Sequence, residues 1–245
     1  MTKIVRHIGL ELDLHERAMS CPNVFLSMAT EQTSVPGALI PDFISTRRAE
    51  VIDELITGAS VDTHLRSLGL MFARRNRPTR CNLRVKSPRA LRPLIDRAIL
   101  MGAARHVADL VDVCDAGMRD LRLCVDVTDS GLASTVGIEC CNPSRAWAKE
   151  PFQNTIDMLE QQGMCTRDQA VALQDCRTLR TIDDYDGPWE SAAAASVDVL
   201  DGYRLQLVSG LHHLKMSVDD AAQPMAKAYL WYGHRRLDAS GRWRR

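Results

Sequence analysis

Leu121 to Cys141 read LRLCVDVTDSGLASTVGIECC, and Leu211 to Tyr232 read LHHLKMSVDDAAQPMAKAYLWY. Each stretch is an apolar-alternating run, an Asp-containing turn and a second alternating run, which is the pattern of a β-hairpin. Side chains alternate between faces along a strand. In the first hairpin Leu121, Leu123, Val125 and Val127 share one face, matched by Val136, Ile138 and Cys140. In the second, Leu214, Met216 and Val218 look inward with Ala226, Ala228 and Leu230. The opposite faces carry Arg122, Cys124, Asp126, Thr135, Glu139 and Cys141, then His213, Lys215, Ser217, Lys227, Tyr229 and Trp231.

Outward from these hairpins, Ile8 to Leu14 and Val24 to Met28 read as two short strands, with Glu31 to Pro41 as loop. Thr46 to Ile56 has helical spacing with Thr46 as its cap, and Asp62 to Leu70 reads as a second short helix ended by Gly69. The basic stretch ARRNRPTRCNLRVKSPRALR contains a strand around Asn82 to Lys86. It is either an anion-binding surface or a solvated loop and strand, and it has no interleaved aromatics to stack bases. Ser87-Pro88 starts a helix to about Met101, and Ala103 to Cys114 forms another. Pro151 opens a helix to Gln162, closed by Gly163, and Thr166 with Gln169 makes a capping box for a helix to about Cys176. Thr178 to Ser191 is acidic and turn-rich and reads as a mobile loop, and Tyr203 to Val208 alternates like a strand. The expected architecture is α+β: an antiparallel sheet built from repeated hairpins, with helices packed on one face. It forms a single domain over residues 1–245, with a main body at 81–236 and residues 1–80 as a candidate N-terminal lobe.

The 245 residues can bury a substantial core. Formal net charge is zero, so the overall field offers no argument for nucleic acid or membrane binding. No run approaches the ~18 apolar residues of a membrane span. The first residues are interrupted by charge, unlike a signal peptide, so the expected compartment is the cytoplasm. The eight cysteines include no CxxC, and the histidines show no HxxxH or HxH spacing. No cofactor or metal is expected, and the cysteines read mainly as small buried hydrophobes. There is no GxGxxG, Walker or GxSxG motif, and no catalytic residue is assigned.

If both hairpins join one sheet, their polar faces form one surface. The candidate binding residues are Asp126, Glu139, His213, Lys215, Lys227, Tyr229 and Trp231, with acids on the first hairpin and lysines and aromatics on the second. Aromatic anchors on a polar sheet face suit recognition, although a solvated face laced with ion pairs has the same pattern. His212 and His213 are adjacent and should point to opposite faces. Asp126 and Glu139 could act as paired carboxylates, and Cys124 or Cys141 near His213 as a nucleophile, but nothing local supports an activated thiolate.

LRLCVDVTDSGLASTVGIECC, EPFQNTIDMLEQQGMCTRDQAVALQDC and LHHLKMSVDDAAQPMAKAYLWYGHR, taken in order, resemble a bacterial family associated with gene clusters for ribosomally made, modified peptides (RiPP natural products). The likeness covers Leu121 to Arg235, and the peptide-binding accessory proteins of crocagin-type biosynthesis are its nearest functional counterpart. The matching positions are Gly137, Ile138, Glu139, His213, Lys215, Ala226, Lys227, Tyr229 and Leu230. The resemblance implies a non-catalytic accessory protein that binds a precursor peptide and presents it to RiPP-modifying enzymes. The alternatives are an enzyme acting on a peptide or aromatic substrate at the same face, and a structural homodimer.

Overall fold

The computed structural model describes residues 4–11, 22–59, 62–74, 76–85, 88–114, 120–141, 150–176, 178–181, 204–219 and 224–237. The strands are β1 (Val5–Glu11), β2 (Asn23–Gln32), β3 (His64–Leu70), β4 (Thr79–Val85), β5 (Leu121–Thr128), β6 (Gly131–Cys141), β7 (Thr178–Thr181), β8 (Arg204–Val218) and β9 (Met225–Leu237). All belong to one antiparallel sheet. Each of β1 to β6 pairs with the next in sequence. β8 pairs with β6 along its second half and with β7 along its first half, and β9 runs along nearly its whole length. Strands before and after residue 80 thus share one sheet.

Helix α1 (Thr46–Thr57) lies between β2 and β3 in the chain. Helix α2 (Pro88–Leu100) and a 3-10 turn at Arg105–Val111 precede β5, and α3 (Glu150–Gln161) and α4 (Arg167–Asp175) follow β6. The molecule is α+β. Leu121, Leu123, Val125 and Val127 of β5 are fully buried, as are Val136, Ile138 and Cys140 of β6. Leu214, Met216 and Val218 continue that apolar surface on β8. It belongs to one cluster with Val51, Ile52 and Leu55 of α1, Leu91, Leu94 and Ile95 of α2, and Ile156 and Leu159 of α3.

Local chemistry sets most boundaries. Ser45, rather than Thr46, caps α1, its hydroxyl accepting from the Arg48 N–H at 3.3 Å. Thr166 and Gln169 form the expected capping box of α4. Gly163 follows α3 at φ +69°, a left-handed conformation that glycine adopts without strain. The expected helix cap at Ser87 lies outside the described residues, as do Leu12 to Leu14 and Ile182 to Ser191. Thr178–Thr181, expected as the start of a loop, is strand β7. The stretch from Ala103 to Cys114, expected as an α-helix, holds only the 3-10 turn, which buries Val107, Leu110 and Val111.

The largest correction concerns Asp62 to Leu70, expected as a helix and found as strand β3. The register slips between Leu65 and Ser67, so Arg66 is an extra, bulged residue. That insertion puts Leu65 and Leu68, three apart, on the same buried face. A bulge thereby converts a period of two into helix-like spacing. Gly69 lies on the other face, where the Phe25 ring covers it and a Cβ would stand 2.6 Å from Cε1. A second correction concerns β9. Ala226 is half-buried, but Ala228 and Leu230 are exposed, because the buried cluster ends at β8.

Leu123→Ala should cost about 3 kcal/mol of unfolding free energy, from lost burial plus a cavity. Ile8, 69% exposed on the edge strand β1, should tolerate Ser within about 0.5 kcal/mol. Urea titration of both variants checks the pair, and equal losses would contradict the core described.

Candidate functional site

The second face of the sheet is polar in sequence, and the strands align it in rows. Arg84 of β4 stands opposite Arg122 of β5, which stands opposite Glu139 of β6; Glu139 faces Lys215 of β8, and Lys215 faces Lys227 of β9. One row away, Cys141 faces His213, and His213 faces Tyr229. On the other side, Arg80 faces Asp126.

This face is concave. Eight strands separate β1 from β9 by seven intervals, about 34 Å in a flat sheet. Yet Glu11 of β1 interacts electrostatically with Tyr229 of β9 and with Arg80 of β4, and Tyr229 also interacts with Arg80. Such coupling does not survive across distances several times the Debye length. The sheet therefore curls around its polar side, as eight strands are able to do. The curl explains why Asp126, Glu139 and Lys215 are each less than 9% exposed, which rules out the solvated-face reading for them.

Burial forces pairing. Arg80 grips the Asp126 carboxylate with two parallel bonds, Nε to Oδ1 at 2.8 Å and Nη2 to Oδ2 at 3.0 Å, and Arg74 Nη1 adds a third at 3.0 Å. Lys215 Nζ donates to Glu139 Oε1 at 3.2 Å, and Arg122 Nη1 lies 3.6 Å from Oε2. Burial pushes the Glu139 carboxyl upward, but Lys215, His213 and Arg122 outweigh it and hold the acid down to about 2. Burial likewise opposes the Lys215 charge, and the neighbouring Cys124 and Glu139 overcome it, raising the ammonium. The acids lie on β5 and β6 and the lysines on β8 and β9, and arginines of β4, β5 and the loop before β4 join the acids. Asp126 and Glu139 serve separate cations and do not form a carboxylate pair.

His213 stacks on Tyr229, with ring centroids 4.1 Å apart and planes 14° from parallel. His212 and His213, expected on opposite faces, bring their Nδ1 atoms to 2.7 Å. The register slips between Leu211 and His213, so His212 is a bulged residue, and a bulge turns successive side chains toward the same side. Burial lowers His213 to about 4, against the pull of Glu139, so its ring is neutral near pH 7. Lys227 is exposed. Trp231 stands opposite Gly210 in the register, and its side chain lies outside the described residues.

The thiols are not poised for attack. Burial, then Glu139, drives Cys124 up to about 12, and burial also raises Cys141. Cys140 lies 3.6 Å from Cys114, sulfur to sulfur, inside the core. Among the described residues no three His, Cys, Asp or Glu side chains stand together as a metal-ligand set. No helix there is long and apolar enough to cross a membrane. An open groove of about 480 Å³, lined by Gln153, Asp157, Glu160, Gln161, Arg167 and Gln174, lies between α3 and α4, away from this face.

Missing from the sequence-based set are the arginines that complete it: Arg74, Arg80, Arg84 and Arg122. The alternation of Arg80, Asn82 and Arg84 with buried Cys81, Leu83 and Val85 was the available signal. No family model, no curated protein and no solved structure matches the chain.

Glu139→Gln should destabilise by about 3–5 kcal/mol, because it leaves Lys215 buried without its counter-charge. The pH dependence follows from the two depressed groups. His213 binds its proton more readily in the unfolded chain, so its contribution is complete above its ordinary value of 6.5 and is lost as pH falls toward 4. Glu139 contributes above 4.5 and loses its contribution as pH falls toward 2. Urea midpoints measured from pH 7.5 to 3 should fall in those two windows. His213→Gln should flatten only the upper one.

Proposed function

We propose that the protein is a non-catalytic peptide-binding protein of the kind its sequence resembles, holding a precursor peptide for RiPP-modifying enzymes in the cytoplasm. The observation that carries this reading is the pair of strand edges. Among the described residues nothing pairs with the outer side of β1 or of β9, so both expose main-chain donors and acceptors. Both also present apolar side chains: Ile8 and Leu10 on β1, Met225 and Leu230 on β9. A peptide adding as a strand gains main-chain hydrogen bonds from such an edge and side-chain specificity from alternate positions. In this reading the sheet is a series of hairpins with its helices confined to the apolar face, which leaves the edges free. Lys227, exposed beside the β9 edge, would meet an acidic residue of the peptide. Asp126, Glu139 and Lys215 act from beneath, as the rigid support that fixes β8 and hence β9. His213 and Tyr229 form an aromatic ledge next to that edge.

The raised thiols and the ion-paired Asp126 and Glu139 support binding over chemistry. A second reading rests on the same edges, since two copies could pair through β9 into a homodimer.

The test looks for a short precursor-peptide gene beside this one, whose absence would count against the reading, and measures binding of that peptide, fluorescein-labelled, by anisotropy. Leu230→Asp and Lys227→Glu should each weaken it about tenfold, a loss of about 1.4 kcal/mol, without lowering the urea midpoint. Affinity unchanged in both variants would remove β9 as the binding edge. Light scattering separates the readings: a dimer that Leu230→Asp converts to a monomer would favour self-pairing.

A further inference from the structure

Two β-bulges each insert an arginine into the polar half of the sheet. Arg6 is the extra residue of β1, between Val5 and His7, and Arg66 is that of β3, between Leu65 and Ser67. Bulges re-aim side chains and recur beside functional sites. Arg66 lies within electrostatic reach of a pair that is already repulsive, Arg84 and Arg122, which face each other across β4 and β5, and Arg6 lies within reach of Arg66. Like charges directly opposite are destabilising. The charges of Arg122, Arg84 and Arg6 act on Arg66 unfavourably, and Asp120 is the single acid that acts on it favourably.

The carboxylates available do not balance these cations. Asp120 receives Arg84 at 3.0 Å and lies 3.9 Å from Arg122. Glu31 lies 3.6 Å from Arg84 and is shared with His64. Glu139, near Arg122, is committed to Lys215. Four guanidiniums therefore face two carboxylates of their own, an excess of two positive charges. Arg66 has no hydrogen-bond or ion-pair partner among the described residues. Arg122 Nε and His64 Nδ1 are buried without an acceptor. The nearby Asn82 Oδ1 is an orphan acceptor, but it is neutral and leaves the excess of positive charge in place.

We propose that Arg6, Arg66, Arg84 and Arg122 form a binding site for a doubly charged oxyanion, a phosphate group, with Arg66 as its principal ligand. Guanidinium forks match phosphate oxygens in geometry and give charge-assisted bonds. Two negative charges cancel the excess, and the oxygens supply acceptors to Arg66 and Arg122. The phosphate is either free or the end of a larger molecule. In the second case the neighbouring His213–Tyr229 stack, in electrostatic reach of Arg122 through His213, would hold an attached ring. This site does not depend on the peptide reading.

The experiment is calorimetric titration of the full chain at pH 7.5 and constant ionic strength with inorganic phosphate, phenyl phosphate and acetate. Phosphate should bind at one site, and acetate should bind at least about tenfold more weakly. Arg66→Gln and Arg6→Gln should each weaken phosphate, by about tenfold for Arg66. Without phosphate, Arg66→Gln should melt no lower than the parent, since it removes repulsion and breaks no bond among the described residues; a lower melting temperature would show that Arg66 is structural and overturn the assignment. Tighter binding of phenyl phosphate identifies the ligand as a phosphate carrying a ring, and equal binding identifies free phosphate. Acetate binding as tightly as phosphate, or phosphate affinity unchanged by both substitutions, would overturn the proposal.

Discussion

The fold turns on one requirement: charges drawn inside a curled sheet must meet their partners there. Arg122, Glu139 and Lys215 stand directly opposite one another on β5, β6 and β8. A carboxylate with a cation on each side locks the lateral register of three strands. A slip of one residue would carry Glu139 into the apolar cluster and Ile138 into the ionic one. An unpaired charge in either place costs several kcal/mol. Such pairs add little net stability over an apolar filling, but they reject alternative pairings, and here they do so at the centre of the sheet.

The same side chains explain why this face is dense. Arg80 spans toward Asp126, Phe25 lies over Gly69, and Lys215 lies over Gly137, where a Cβ would stand 3.0 Å from Cε. Glycines at these points let long side chains lie flat across neighbouring strands. The interior is thus filled by ion-paired stems. Only toward Arg66 and Arg84 does the matching of charge fail, and there the side chains are more open.

Alternation made strands β5, β6 and β8 legible, together with their core face, because Leu121 to Val127, Val136 to Cys140 and Leu214 to Val218 each obey a period of two. It failed where the period is broken. Arg66 made a strand resemble a helix, and His212 moved to the side of its neighbour. Burial of the polar face was not readable, since curl is a property of the whole sheet and no single strand encodes it. Nor were the partners of Asp126, which come from β4 and the loop before it, more than 40 residues earlier. Asp126, Glu139 and Lys215, read from the sequence as candidate ligand contacts, pair in the structure with arginines and with one another.

The joint between β6 and β8 is unlike every other in the sheet. Strands β1 to β6 each pair with a sequence neighbour, so their contacts form after modest loop closures. Glu139 and Lys215 are 76 residues apart, and α3 and α4 must be threaded between them. The entropy of that closure is met before any contact rewards it. A chain with this topology has a natural order of assembly. The six-strand meander is able to form early, leaving the Glu139 edge of β6 as a temporary, half-neutralised template. By this loop-closure argument the β8–β9 ribbon is expected to dock last and complete the charge ladder, which makes the Glu139–Lys215 pair among the latest contacts expected to form.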